Sequence, residues 1–194
     1  GMLAFSAKFS GPGGHSSLAD LTAAPLLAAA RLAAAVGDYG DAHRDFGEAP
    51  YKGLCVNIGE IKGDGAYNVI PTQAALLMSM RPPPGDDVAA RELSIRDIAA
   101  ETAPGAELSR IVALEPFASR DVDAFAPVFG EHFAPADLPY WTEAAMLSEA
   151  GVNCVVFGPG DVDQAHKPNE FVTAPHMQLA MDVYARALSG SRHA

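Results

Sequence analysis

The chain has 194 residues, 49% of them hydrophobic and 19% charged, with 18 Gly and 15 Pro. That profile fits a globular chain of one ordinary or two small domains and excludes fibrous, collagenous and wholly disordered classes. Thirteen Lys and Arg face 24 Asp and Glu for a net charge of -11, so the surface should repel phosphate backbones and anionic membranes, and neither nucleic acid nor membrane is expected as a partner.

Period-2 alternation opens the chain. Leu3, Phe5, Ala7 and Phe9 lie on one side and Ala4, Ser6, Lys8 and Ser10 on the other, which predicts a half-buried strand. The turn-rich Gly11-Pro12-Gly13-Gly14-His15-Ser16-Ser17 ends it. An Ala/Leu-rich helix is predicted from Thr22 as N-cap to Val36, with Pro25 in the first turn, where its missing N–H costs nothing, and Gly37 as its stop. Beyond a loop over residues 37–52, Leu54, Val56, Ile58 and Gly59-Glu60-Ile61 alternate again. After the Asn68-Val69-Ile70-Pro71 break, Leu76, Met78 and Met80 alternate with Ala75, Leu77, Ser79 and Arg81. Pro82-Pro83-Pro84-Gly85 blocks further strand. Val88, Ile95, Ile98 and Thr102 then mark one face of a second helix, closed by Pro104-Gly105. Leu108, Arg110, Val112 and Leu114 supply a fourth strand. The order β-α-β-β-α-β over residues 2–115 predicts an α+β, ferredoxin-like domain: a four-stranded antiparallel sheet with both helices on one face.

Residues 116–194 read differently. Helices are predicted over 121–133, 141–150 and 173–189, the last with Pro175 in its first turn. Between them Val152-Asn153-Cys154-Val155-Val156-Phe157 is one apolar run, as in a strand covered on both faces of a parallel sheet. One strand cannot make a sheet, so its neighbours must come from elsewhere. This α/β stretch reads as the end of a domain whose beginning is not present.

Cys55 and Cys154 match no metal or redox spacing and read as buried thiols of a reducing compartment. The N-terminal apolar run is too short for a signal peptide, so a cytoplasmic protein is expected. Of six histidines, His193 belongs to the tail, and His43, His132 and His176 lack metal-ligand spacing and read as structural. His166 lies in a loop just past the apolar run, at the edge where open α/β sheets bind ligands, and is either a surface loop residue or a ligand. His15 sits in a Gly-rich turn that lets backbone approach closely. Arg81 could clamp a carboxylate with its fork or simply be solvated at a sheet edge. A catalytic metal needs about three protein ligands, and no HxH, HExxH or Cys-based set supplies them here.

Five blocks, Gly11-Pro12-Gly13-Gly14-His15-Ser16-Ser17, Val56-Asn57-Ile58-Gly59-Glu60-Ile61 with Asn68-Val69-Ile70-Pro71, Met80-Arg81-Pro82, Trp141-Thr142-Glu143-Ala144, and Phe157-Gly158-Pro159-Gly160 with Gln164-Ala165-His166-Lys167-Pro168-Asn169-Glu170, occur in one order. In them the chain resembles the zinc amidohydrolases and peptidases that include acetylornithine deacetylase, acetylcitrulline deacetylase, succinyl-diaminopimelate desuccinylase and aminoacylase. The resemblance implies that residues 1–115 are a dimerisation or lid domain and 116–194 the closing part of a catalytic domain. It implies that an N-terminal segment with the other zinc ligands and the general base is missing. By position, His166 resembles a zinc ligand with Glu170 as its partner, and His15 resembles a histidine that stabilises the oxyanion across a homodimer. Asn68 and Arg81 resemble residues that hold the substrate carboxylate, and Thr142 a substrate hydrogen-bonding residue. The implied activity is zinc-dependent hydrolysis of a small N-acyl amino acid, releasing acetate. The competing reading is a dimerisation or binding module without catalysis, and a third is a desuccinylase or metallopeptidase fragment. The isolated chain is expected to be inactive and to self-associate through the lid.

Overall fold

The computed structural model describes residues 1–17, 24–49 and 52–190. The chain divides into two compact units, Gly1–Phe117 with Pro139–Trp141, and Ala118–Leu138 with Thr142–Ala194.

The first unit runs β1 (Met2–Ser10), β2 (Gly14–His15), α1 (Pro25–Ala42), β3 (Asn57–Gly63), β4 (Val69–Ile70), β5 (Gln73–Met80), α2 (Val88–Thr102) and β6 (Glu107–Leu114). Four strands form one antiparallel sheet in the order β3-β5-β1-β6. Each helix therefore joins two strands that flank a third, which is the split βαβ pattern the element order predicts. Leu3, Phe5, Ala7 and Phe9 of β1 and Leu76, Met78 and Met80 of β5 pack against Leu32 and Val36 of α1 and Val88 and Ile95 of α2. Each large apolar side chain so buried contributes about 1.5–3 kcal/mol of transfer free energy.

Three local expectations are corrected here. Helix α1 does not stop at Gly37 but continues to Ala42. The extra turn carries Tyr39 onto the core, and a Cβ at Gly40 would lie 2.7 Å from a Val56 methyl, so glycine there permits the close approach. Thr22, the predicted N-cap, falls outside the described residues, as does His193; the described helix starts with Pro25 at its first position. In β6 the plain alternation is broken by a bulge: Ala4 faces Val112 while Phe5 faces Arg110, leaving Ile111 as the extra residue. The core face is thus Leu108 and Ala113, and Arg110 on that side reaches Glu92 of α2 at 2.8 Å. Cys55 is exposed rather than buried, because its backbone turns at φ 40° between fully buried Leu54 and core-packed Val56.

The second unit holds α3 (Ala126–Phe129), α4 (Ala144–Glu149) and α5 (Ala174–Gly190), with short 3-10 turns at Asp123–Phe125, Gly130–His132 and Val162–Gln164. The helix predicted over 121–133 is therefore fragmented: Pro127 confines α3 to a fresh start and Gly130 at φ 60° ends it. Helix α5 has Pro175 in its first turn, as predicted. The strand expected at Val152 to Phe157 does not form, since the segment pairs with no strand among the described residues. Side chains tether it instead. Ser119 Oγ donates to Cys154 O, and the Asn153 amide exchanges two bonds with the Asp121 backbone at 2.7 and 3.1 Å. Phe157 packs edge-on to Phe129 and Tyr184. Among the described residues no helix is long and apolar enough to cross a membrane.

Candidate functional site

The Gly-rich turn and the Asn68 break, both read from sequence as interruptions, pair with one another. Beyond the last β1–β5 pair, Ser10 with Gln73, the Gly11 N–H donates to Thr72 O at 2.9 Å. Then β2 and β4 form a two-stranded ladder, Gly14 opposite Ile70 and His15 opposite Val69. The Ser16 N–H donates to Asn68 O at 3.1 Å. His15 and Asn68 thereby lie one register step apart on one lobe that prolongs the β1–β5 ladder. Gly13 makes the turn possible, with φ at 66° and a hypothetical Cβ only 2.6 Å from a Thr72 methyl.

Sequence reasoning missed Asp64, which anchors this lobe. Its carboxylate accepts from the Thr72 hydroxyl at 2.7 Å, the Thr72 N–H at 2.9 Å and the Gln73 N–H at 3.0 Å. The Thr72 side-chain bond, then the Gln73 backbone bond, hold the Asp64 carboxyl below its ordinary value. The Gly63-Asp64-Gly65 turn was the available signal. Tyr67, next to Asn68, is 98% exposed at the tip.

His15 is exposed, and its Nδ1 lies 2.8 Å from the Ser17 hydroxyl and 3.3 Å from the Ser17 backbone N. Arg81 follows the opposite end of β5, where its N–H donates to Leu54 O at 2.7 Å. With Arg81 and burial against it, the Gly1 amine is lowered to about 6, burial being the larger cause. Eight residues of extended β5 separate Arg81 from the lobe, on the order of 25 Å, so one copy does not bring Arg81 and Asn68 to one small molecule.

In the second unit, Thr142 Oγ1 accepts from the Ala144 N–H at 3.3 Å, which leaves its hydroxyl proton to give. Glu170 Oε2 accepts from the His166 backbone N–H at 3.1 Å and so steadies the loop rather than the imidazole. His166 and Asn169 both sit at positive φ, 61° and 60°, a conformation that costs on the order of 1 kcal/mol or more for a non-glycine residue. As a metal centre the donor set is short: no three His, Cys, Asp or Glu converge among the described residues. The described residues do not fit a zinc centre by themselves.

Sheet order and crossing helices define the first unit as a ferredoxin-like domain with a projecting lobe. It matches the M20 peptidase dimerisation domain over residues 1–107, and the chain belongs to that family. It is 32% identical over 200 aligned residues to the N-acetyl-L-citrulline deacetylase of Xanthomonas campestris, covering 95% of this chain and 52% of that protein. It is 33% identical to the acetylornithine deacetylase of Myxococcus xanthus, covering 69% of this chain and 37% of the relative. The chain thus spans about half, or less, of the length of these curated relatives. In fold it is similar to a hydantoinase/carbamoylase family amidase from Burkholderia vietnamiensis, with TM-score 0.67 and 20% identity over 97% of this chain and 47% of that one.

Proposed function

We propose that the chain is the lid domain, residues 1–115, and the closing catalytic-domain stretch, residues 116–194, of an N-acyl-amino-acid deacetylase of the acetylornithine and acetylcitrulline kind. The observation that carries this reading is the β2–β4 ladder, which sets the His15 imidazole and Asn68 carboxamide on one exposed lobe. An imidazole N–H on a rigid ladder can donate to the oxygen that becomes negative when an amide carbonyl is attacked. The Asn68 carboxamide of the same lobe can hold the substrate, and in the second unit the Thr142 hydroxyl keeps a proton to donate. Arg81 and Asn68 of one copy are too far apart to share a carboxylate, so both serve one substrate only as residues of different copies. A homodimer through the lid, with β3 and β6 as the free sheet edges, meets that condition. Zinc dependence enters as a property of the completed enzyme, with His166 contributing one ligand and the missing N-terminal segment the rest.

The test is complementation. The N-terminal segment of the Xanthomonas campestris relative is fused ahead of Met2, zinc is supplied, and acetate release from N-acetylornithine and N-acetylcitrulline is followed. Chelator-sensitive turnover is expected from the fusion, a fall of about 10²- to 10³-fold in kcat on His15→Ala, and none from the chain alone. A folded, zinc-loaded fusion without turnover, or turnover by the chain alone, overturns the reading. A strictly monomeric mass at micromolar concentration overturns the homodimer.

A further inference from the structure

We propose that Ser17 is a positioning residue for His15, holding its ring in the form that carries the proton on Nε2. The assignment follows from which partners can only give a proton and which can only receive one. The Ser17 backbone N–H can only donate, and it points at His15 Nδ1 from 3.3 Å, so Nδ1 presents its lone pair. The Ser17 hydroxyl, 2.8 Å from the same nitrogen, then adds a second donor. With Nδ1 accepting, the ring proton of the uncharged imidazole lies on Nε2. That nitrogen has no hydrogen-bond partner among the described residues.

His43 shows the opposite arrangement in the same unit. Its Nδ1 faces Tyr39 O at 2.8 Å. A carbonyl oxygen only accepts, so His43 carries its proton on Nδ1. The two rings are therefore held in opposite tautomers by partners of opposite character.

The backbone on either side of the His15 ring is tied down, His15 to Val69 and Ser16 to Asn68. The two bonds from Ser17 fix the ring against this ladder, and the free N–H points away from Ser17. An oxygen gaining negative charge meets a donor at Nε2. In the other tautomer it would meet a lone pair, which repels it. This role rests on the reading of His15 as the oxyanion donor; the hydrogen-bond assignment does not.

The experiment is a long-range ring-proton-to-nitrogen correlation on the nitrogen-15-labelled chain, recorded well above the ordinary imidazole value of about 6.5. His15→Gln and His43→Gln identify the signals. His15 is expected to show a pyridine-type Nδ1 and a pyrrole-type Nε2, and His43 the reverse. Ser17→Ala is expected to raise the minor Nδ1–H form of His15 on the order of fivefold, the value of one hydrogen bond. Ser17→Thr should restore it, and His43 should not move. An Nδ1–H form in the unaltered chain, or a His15 spectrum indifferent to Ser17→Ala, overturns the proposal. In the active fusion, Ser17→Ala should lower kcat roughly two- to fivefold with KM little changed. A moved tautomer with unmoved kcat would keep the Ser17–His15 pair and overturn the oxyanion reading alone.

Discussion

The two units are built from equally apolar sequence and arrive at different interiors. In the first, sixteen buried residues drawn from β1, β5, α1, α2 and the residue after it form one cluster, with a helix layer over a sheet layer. In the second, only Cys154, Ala180 and Val183 are buried among the described residues. Met146, Val152, Phe171 and Met181 there are each at least 49% exposed. Apolar composition alone therefore does not make a core. The first unit closes one because its four strands satisfy each other's backbone groups and present a single apolar face to two amphipathic helices. The second has an apolar segment with no ladder and helices of four and six residues beside one long one. That leaves Met146, Val152, Phe171 and Met181 exposed, and apolar side chains at a surface favour association or binding where they adjoin.

The largest expected effect separates the units by their cores. Phe5→Ala should destabilise the first unit by about 3–5 kcal/mol, as for a fully buried aromatic. Phe157→Ala, which loses two edge-on ring contacts, should cost the second about 1 kcal/mol. Chemical denaturation monitored by amide signals of each unit measures both, and equal costs would break the comparison. Next, amide hydrogen exchange should be slowest in β1 and β5 and close to unprotected over residues 153–157, past the Val152 N–H that Leu147 O accepts. Protection of that segment matching β1 would show that it has found a ladder.

The smallest effect is acidic. Asp64 is held below its ordinary value by Thr72 and Gln73, and Glu92 by hydrogen bonds from Arg96 and then Arg110. A carboxyl depressed in the folded state contributes stability above its unfolded value, lost as pH falls through the folded one. The loss should therefore begin below about pH 4 and stay small, because Asp64 is exposed and the Arg110 partner of the less accessible Glu92 reaches solvent. The amide shifts of Thr72 and Gln73 should titrate together with a midpoint under 3.8, the ordinary value for an aspartate. A midpoint above it, or no change on Asp64→Asn, would detach Asp64 from the lobe.

Much of the first unit was legible residue by residue. Phe5 to Phe9 and Leu76 to Met80 alternate as their burial does, while Ala4, read on the opposite side, is buried too; Val88, Ile95 and Ile98 share the face of α2 that meets the core. The end of α1 was not legible, because glycine's local preference at Gly37 was outweighed by Tyr39 and Gly40 finding contacts on distant residues. The bulge at Ile111 was equally hidden, since it is a property of two strands in register. Of the candidate site, His15 and Asn68 stood out by their motifs, while their pairing did not, two-residue strands being too short to show a period. Asp64 and Ser17 carried only the ordinary look of turn residues.

Sequence by itself determined the order of the four sheet strands and two helices of the first unit and the apolar face of β5 and the helices, because these follow from spacing along the chain and from the backbone habits of glycine and proline. Tertiary structure alone decided that two apparent interruptions become a ladder carrying His15 and Asn68, that Arg81 lies far from them, and that the apolar run at Val152 joins no strand among the described residues. Those outcomes depend on hydrogen-bonding partners many residues away, and a partner's position is written in no local pattern.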